Sequence, residues 1–97
     1  TTLAAMQTIA DGVAVRTPGN LNLDIVGRFN PEMWCIDDTE IREAQKLLLS
    51  ETKLIAETAG VVSVAGLLAA KLPQEIKTVV CVISGANVDL SSLQGLV

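Results

Sequence analysis

The order of apolar runs and turn residues along the chain predicts alternating strands and helices. A short β-favouring run at 13–15 is closed by turn residues at 17–20. Apolar residues between 21 and 28 predict a short helix, and Pro31 ends that element. The continuous apolar run at 33–36 is typical of a strand that is covered on both faces.

The clearest helix start lies at residues 37–40. Asp37, Asp38 or Thr39 can cap a helix there, and Glu40 places negative charge in the first turn, where the helix dipole favours it. Apolar residues then recur at helical spacing as far as Ile55. After an interruption at 57–60, residues 61–70 predict a second helix that is apolar on every side. We therefore expect every face of this second helix to be buried.

The run at 78–83 is the best strand candidate, because it is an unbroken series rich in β-branched residues. It leads into a polar turn at 84–87 and then into a short predicted helix over 88–97 that begins near Asp89 or Ser91. This order of elements predicts an α/β fold with a mostly parallel sheet and helices on both faces. We expect 79–83 to be buried on both faces in the full assembly. Ligands of such sheets bind beyond the carboxyl ends of the strands, so the candidate loops are 84–87 and 11–12.

Composition excludes several classes of function. The net charge is 7 − 11 = −4, and the seven cations are spread singly along the chain, which argues against a nucleic-acid partner. The chain has no histidine, so serine–histidine and cysteine–histidine catalysis and histidine-containing metal sites are excluded. Cys35 and Cys81 are interpreted as two buried thiols of a cytoplasmic protein.

Hydropathy is high for so short a chain. Apolar residues make up 49% of it and the mean hydropathy is +0.46, which would leave large apolar patches uncovered in a free-standing domain. The longest uncharged stretch, 58–70, falls short of the roughly 20 residues of a membrane span, and the first residues lack a signal-peptide pattern. We therefore expect residues 1–97 to be the C-terminal part of a larger α/β protein.

Three segments together carry a family resemblance: 8–19, which contains TIADG and TPG; 53–61, which contains ETAG; and 79–90, which contains SGAN. Their order and spacing resemble the C-terminal third of fold type II pyridoxal-phosphate enzymes, specifically the threonine/serine dehydratases and serine racemase. The resemblance implies a three-layer αβα domain that binds pyridoxal 5'-phosphate. Two departures are Thr58, where the family usually has proline, and 30–34, where family members often have two consecutive acids.

The resemblance implies four site residues. The Ser84 hydroxyl would face the pyridine nitrogen of the cofactor, Gly12 would let the backbone approach the reactive imine, and Glu57 would lie near the cofactor ring. Asp11 would line the substrate cleft. Each also has a purely structural interpretation: Ser84, Gly12 and Asp11 as turn residues, and Glu57 as a solvated charge that caps the second helix.

In the family, the Schiff-base lysine, the phosphate-binding glycine loop and the divalent-cation ligands lie N-terminal to the region that this chain resembles. None of Lys46, Lys53, Lys71 and Lys77 has a matching context, so we expect no catalytic residue and no metal ligand in these 97 residues, and no activity from them alone.

The parent enzyme would remove water from L-threonine or L-serine to give a 2-oxo acid and ammonia. Serine racemase, or a non-catalytic fragment that folds only with a partner chain, remains an alternative. The implied partners are the missing N-terminal portion, a small hydroxy amino acid and further copies of the enzyme, as a dimer.

Overall fold

A computed structural model describes residues 2–70 and 72–96 of the chain. Three α-helices lie in this part: α1 at Asn20–Phe29, α2 at Asp38–Leu47 and α3 at Val62–Ala69. A π-helical turn, Leu48–Thr52, continues α2. Short 3₁₀ helices occupy Asp11–Val13, Ala59–Val61 and Leu90–Gly95.

Helix α2 begins where the sequence predicts it, because a reciprocal capping box closes its first turn. The Asp37 carboxylate accepts from the backbone N–H of Glu40 at 2.9 Å, and the Glu40 carboxylate accepts from the N–H of Asp37 at 2.8 Å. The helical run ends at Lys53, whose φ of 62° is left-handed. The predicted helix start is confirmed.

Helix α1 confirms the predicted helix at 21–28, with bounds one residue wider at each end. It ends at Asn30, which adopts a left-handed φ of 43° and donates its N–H to the Val26 carbonyl oxygen at 2.8 Å. No residue of α1 is buried in this chain.

The core lies between α2 and α3. Its buried apolar residues are small or β-branched for the most part: Ala10, Ile41, Ala44, Leu48, Ala56, Val61 and Ala65. Gln45 is buried among them, and its side-chain amide donates to the Ala56 carbonyl oxygen at 2.7 Å. This bond satisfies a buried carbonyl in the connection between the two helices.

No β-strand is formed by residues 2–70 and 72–96, so the strands predicted at 13–15, 33–36 and 78–83 are not found in this chain. Residues 11–13 instead close a 3₁₀ turn, in which Val13 and Ala14 donate to the carbonyls of Ala10 and Asp11 at 3.0 Å. The other two runs are without helical structure and unpaired. A strand is stabilised by hydrogen bonds to a neighbouring strand, and no two of these runs pair with each other. Val80 and Val82 are 85% and 69% exposed here.

Two helix predictions need correction. Helix α3 is buried on one side only, at Ala65 and Gly66, whereas Leu68 is 53% exposed, because α3 packs against α2 alone among the α-helices. The final helix is a 3₁₀ helix that follows Asp89, close to the predicted start. The predicted end of that helix, Val97, lies outside the described residues.

Many large apolar side chains are exposed in a structure whose thinnest dimension is 18 Å. They include Leu21, Phe29, Met33, Trp34, Val80, Val82 and Leu90. Cys35 is exposed as well and Cys81 is half-buried, so the prediction of two buried thiols is wrong for this chain. None of the helices in the described part of the chain has the length and hydropathy needed to cross a membrane.

Candidate functional site

The segment 8–12 is attached to the first residue of α2. The Thr8 hydroxyl donates to Oδ1 of Asp38 at 2.5 Å, and the N–H of Ile9 donates to Oδ2 of the same carboxylate at 3.1 Å. The N–H of Ala10 then donates to the Thr8 hydroxyl oxygen at 3.1 Å. A single carboxylate therefore fixes the backbone just before Asp11 and Gly12.

The segment 57–60 contacts the other side of segment 8–12. The Thr58 hydroxyl donates to the carbonyl oxygen of Ile9 at 2.7 Å. A Cβ on Gly12 would lie 2.9 Å from the Cβ of Ala59, closer than side chains normally approach. The two segments are therefore in contact at a position where only glycine fits without a shift.

The loop 84–87 packs against the same segment 57–60. The N–H of Glu57 donates to the Gly85 carbonyl oxygen at 3.1 Å. A Cβ on Gly60 would lie 2.6 Å from that oxygen, and a Cβ on Gly85 would overlap the Glu57 carboxylate. Because the Gly60 Cβ would collide with backbone atoms of Gly85, glycine at position 60 allows the backbone of loop 84–87 to lie directly against segment 57–60.

The run that precedes this loop is held along α3 by one serine. The Ser63 hydroxyl donates to the Val82 carbonyl oxygen at 2.7 Å, and the Cys81 thiol lies 3.7 Å from the Ser63 carbonyl oxygen. These contacts fix the direction in which the chain enters loop 84–87.

The three segments border one groove of about 570 Å³. Its lining is polar for the most part: Ile9, Asp11, Arg42, Gln45, Glu57, Thr58, Asn87, Val88, Asp89 and Ser92. Three carboxylates and one guanidinium therefore line it, with amide and hydroxyl groups between them. Carboxylates and thiols of the described residues nowhere gather in a group of three that could hold a metal ion.

The structure brings together some of the predicted site residues. Asp11 and Glu57 line the groove, and the Glu57 side chain is half-buried. Gly12 and Ser84 do not line it; Gly12 contacts Ala59, and Ser84 is exposed next to Gly85. Asp11 and Gly12 lie on segment 8–12 and Ser84 lies on loop 84–87. Both of these pack against segment 57–60, which contains Glu57.

Three polar residues of α2 were not predicted from the sequence to belong to the site, and Asp38 was expected there only as a possible helix cap. Asp38, Arg42 and Gln45 follow one another at intervals of four and three residues, and they bind segment 8–12 or line the groove. This interval places residues on one helix face, so the pattern was available in the sequence.

A family model for pyridoxal-phosphate dependent enzymes matches residues 1–85 of this chain. The chain belongs to that family. The resemblance to fold type II pyridoxal-phosphate enzymes is thus confirmed, and with it the dependence of the family on pyridoxal phosphate. The family has an α/β fold, whereas residues 2–70 and 72–96 form no strand, so the predicted sheet is not found here.

Several curated proteins are similar over nearly the whole chain. L-threonine ammonia-lyase of Thermotoga maritima is 40% identical over 90 residues, which are 93% of this chain and 22% of that protein. The catabolic L-threonine dehydratase TdcB of Escherichia coli K12 is 39% identical over 93 residues, or 94% of this chain and 28% of that protein. TdcB of Staphylococcus aureus USA300 is 37% identical, with 93% and 27% covered. The chain therefore spans about a quarter of the length of these relatives.

Proposed function

We propose that this chain is part of a pyridoxal-phosphate-dependent L-threonine/L-serine dehydratase. The whole enzyme would eliminate water from a small hydroxy amino acid and release a 2-oxo acid and ammonia. The observation that carries this proposal is the identity of 37–40% to proteins named L-threonine ammonia-lyase and L-threonine dehydratase, over 93–94% of the chain.

The chemistry of the residues at the meeting of the three segments fits the cofactor. Ser84 has an exposed hydroxyl that can donate to a ring nitrogen, and Glu57 has a half-buried carboxylate beside the same loop. The side of Gly12 that lacks a Cβ faces Ala59, so the assignment of Gly12 rests on the resemblance. We assign Ser84, Gly12 and Glu57 to cofactor binding, and Asp11, which lines the groove, to the substrate cleft.

The Ser84 hydroxyl would decide how the reaction divides among its products. Pyridoxal phosphate, when bound, supplies an electron sink for reactions at the α-carbon of an amino acid. A neutral hydroxyl does not hold a proton on the pyridine nitrogen as a carboxylate would, so the electron sink is weaker and loss of the β-hydroxyl competes well. Ser84 therefore favours elimination over racemisation.

We further propose that residues 1–97 form the C-terminal part of the cofactor-binding domain in a longer polypeptide. The relatives are about four times as long, and the apolar side chains exposed on the 78–83 run and α1 would be covered by the remaining part. In that assembly, 78–83 would pair as a strand of a mostly parallel sheet with helices on both faces. Since the Schiff-base lysine would come from that other part, this chain alone would be inactive.

Two finer assignments complete the proposal. We assign the protein to the cytoplasm, because its reducing conditions suit the free thiols of Cys35 and Cys81. Association into a homo-oligomer, a dimer as in the resembled family, is proposed for the complete enzyme.

The decisive experiment uses the full-length polypeptide that contains this chain. It is purified, loaded with pyridoxal phosphate and incubated with L-threonine and, separately, with L-serine. We expect equimolar 2-oxo acid and ammonia from both. Formation of D-serine without 2-oxo acid would identify the enzyme as a racemase and not a dehydratase. The absence of a reaction with either amino acid would overturn the proposed activity.

A further inference from the structure

Side chains from two distant parts of the sequence bind both main-chain polar groups of Ile9. Its N–H donates to Asp38 on α2 at 3.1 Å, and its carbonyl oxygen accepts from the Thr58 hydroxyl at 2.7 Å. The two partners are 29 and 49 residues away along the chain. Ile9 is thus fixed between helix α2 and segment 57–60.

The position of Ile9 determines where the next three residues lie. Ala10 is 1% exposed and belongs to the core, Asp11 lines the groove, and Gly12 packs against Ala59. A displacement of the Ile9 carbonyl would move Asp11 and Gly12 with it, because Asp11 and Gly12 follow Ile9 after a single buried residue, Ala10, in a continuous stretch of backbone.

Thr58 also connects this segment to the loop that carries Ser84. It directly follows Glu57, whose N–H binds the Gly85 carbonyl oxygen at 3.1 Å. The two contacts that set the separation of segment 8–12 from loop 84–87 are therefore made by adjacent residues. A hydroxyl is the part of Thr58 that makes the first of these contacts, and proline, the residue usual in the resembled family, has none.

We propose that Thr58 is a positioning residue of the cofactor site, which acts through the Ile9 carbonyl to hold Asp11 and Gly12 at a fixed distance from Ser84. The inference rests on the proposed function, since it concerns the same site. Thr58 itself needs no contact with cofactor or substrate for this role.

The test compares four variants of the full-length enzyme: Thr58→Val, Thr58→Ala, Thr58→Ser and Thr52→Val. Valine keeps the shape of threonine and removes the hydroxyl, whereas serine keeps the hydroxyl. Thr52 is the control, because its hydroxyl donates to the Leu48 carbonyl oxygen at the same 2.7 Å, accepts in addition from the Leu54 N–H at 3.2 Å, and does not line the groove. The probe is pyridoxal phosphate, titrated into apoenzyme and followed by its absorbance. Hydrogen exchange of residues 9–14 and the melting temperature are measured on the apoenzyme.

We expect Thr58→Val and Thr58→Ala to raise the dissociation constant of pyridoxal phosphate roughly tenfold, which corresponds to about 1.4 kcal/mol. Exchange at 9–14 should accelerate in the same variants, and the absorbance maximum of the bound cofactor should shift. Thr58→Ser should stay within about twofold of the wild type in the dissociation constant. Thr52→Val should lower the melting temperature while it leaves cofactor affinity and the spectrum unchanged. If Thr58→Val does not fold, Thr58→Ala gives the same comparison without a branched side chain.

Three results would overturn the inference while the proposed function stands: wild-type affinity and spectrum in both hydroxyl-free variants, failure of Thr58→Ser to restore affinity, or an equal loss in Thr52→Val. Failure of both hydroxyl-free variants to fold would overturn it too, since Thr58 would then be needed for folding in general. If the wild-type enzyme takes up no pyridoxal phosphate in the same titration, the inference and the proposed function fail together.

Discussion

The carboxylate of Glu57 occupies the space that a side chain on Gly85 would need, while the N–H of Glu57 donates to the Gly85 carbonyl oxygen at 3.1 Å. A side chain at position 85 would therefore have to displace the Glu57 carboxylate from its place beside the loop that carries Ser84. This contact joins two of the three sequence motifs at one point.

Replacing Gly85 with alanine in the full-length enzyme should displace loop 84–87 or the Glu57 side chain. We expect the affinity for pyridoxal phosphate to fall roughly tenfold, or by about 1.4 kcal/mol, because the new Cβ displaces the Glu57 carboxylate that we assign to cofactor binding. Equilibrium titration of the apoenzyme measures this. Gly27→Ala is the control, since no atom lies within 4 Å of its added Cβ and it sits inside α1, where alanine is the better helix former. Equal affinities for pyridoxal phosphate in Gly85→Ala and Gly27→Ala would show that the contact between Gly85 and Glu57 does not affect cofactor binding.

Ser84→Ala should weaken cofactor binding in the complete enzyme by roughly tenfold to a hundredfold. An acceptor that loses its partner in a buried site costs about 1–3 kcal/mol, and about 1.4 kcal/mol is a factor of ten. Ser84→Asp should act differently, because a carboxylate favours a protonated pyridine nitrogen and so a stronger electron sink. Racemisation or transamination should then rise relative to elimination, even as total turnover falls. Product ratios by chromatography measure this, and wild-type affinity together with an unchanged ratio in both variants would leave Ser84 as a turn residue only.

Gln45→Leu should destabilise the folded protein by about 1–3 kcal/mol, since it leaves the buried Ala56 carbonyl without its donor. The substitution changes volume little, so packing loss is small. Urea unfolding of the full-length apoenzyme measures the difference. Gln94→Leu, at an exposed position, should change stability by no more than about 0.5 kcal/mol. A similar loss at both positions would refute the importance of the buried amide.

The 97-residue chain alone should form no covalent complex with pyridoxal phosphate and should show no dehydratase turnover. The physical reason is that the family's lysine is expected in another part of the enzyme, and an isolated surface lysine lacks the groups that orient the cofactor. Borohydride reduction followed by mass spectrometry measures trapped cofactor, with the full-length enzyme as the positive control. Stoichiometric trapping on any lysine of this chain would show that the prediction is wrong.

Local interactions determine the helices, and these followed from the sequence. The capping box of α2 is formed by residues three positions apart, and the left-handed residue that ends α1 lies directly after its last turn. Such contacts involve neighbours in the chain, so residue types alone specify them. The family motifs could also be identified from the sequence, because the residues of each motif are contiguous.

Strand formation could not be settled in the same way. The run 78–83 has strong β propensity, yet it forms no strand within residues 72–96, because its hydrogen bonds require a neighbouring strand that this chain does not supply. β propensity is a property of a single segment, whereas a sheet requires at least two segments that pair with each other.

The groove was decided by tertiary structure. Ile9 is 29 residues from Asp38 and 49 residues from Thr58, and only the tertiary packing of segment 8–12 against α2 and segment 57–60 brings the three within hydrogen-bond distance. Arg42 enters the same groove because α2 turns one face toward segment 8–12. The sequence by itself determined where the three α-helices lie and which family the chain belongs to. The tertiary structure decided which residues meet, because distances between remote residues depend on the packing of whole elements and not on any local pattern.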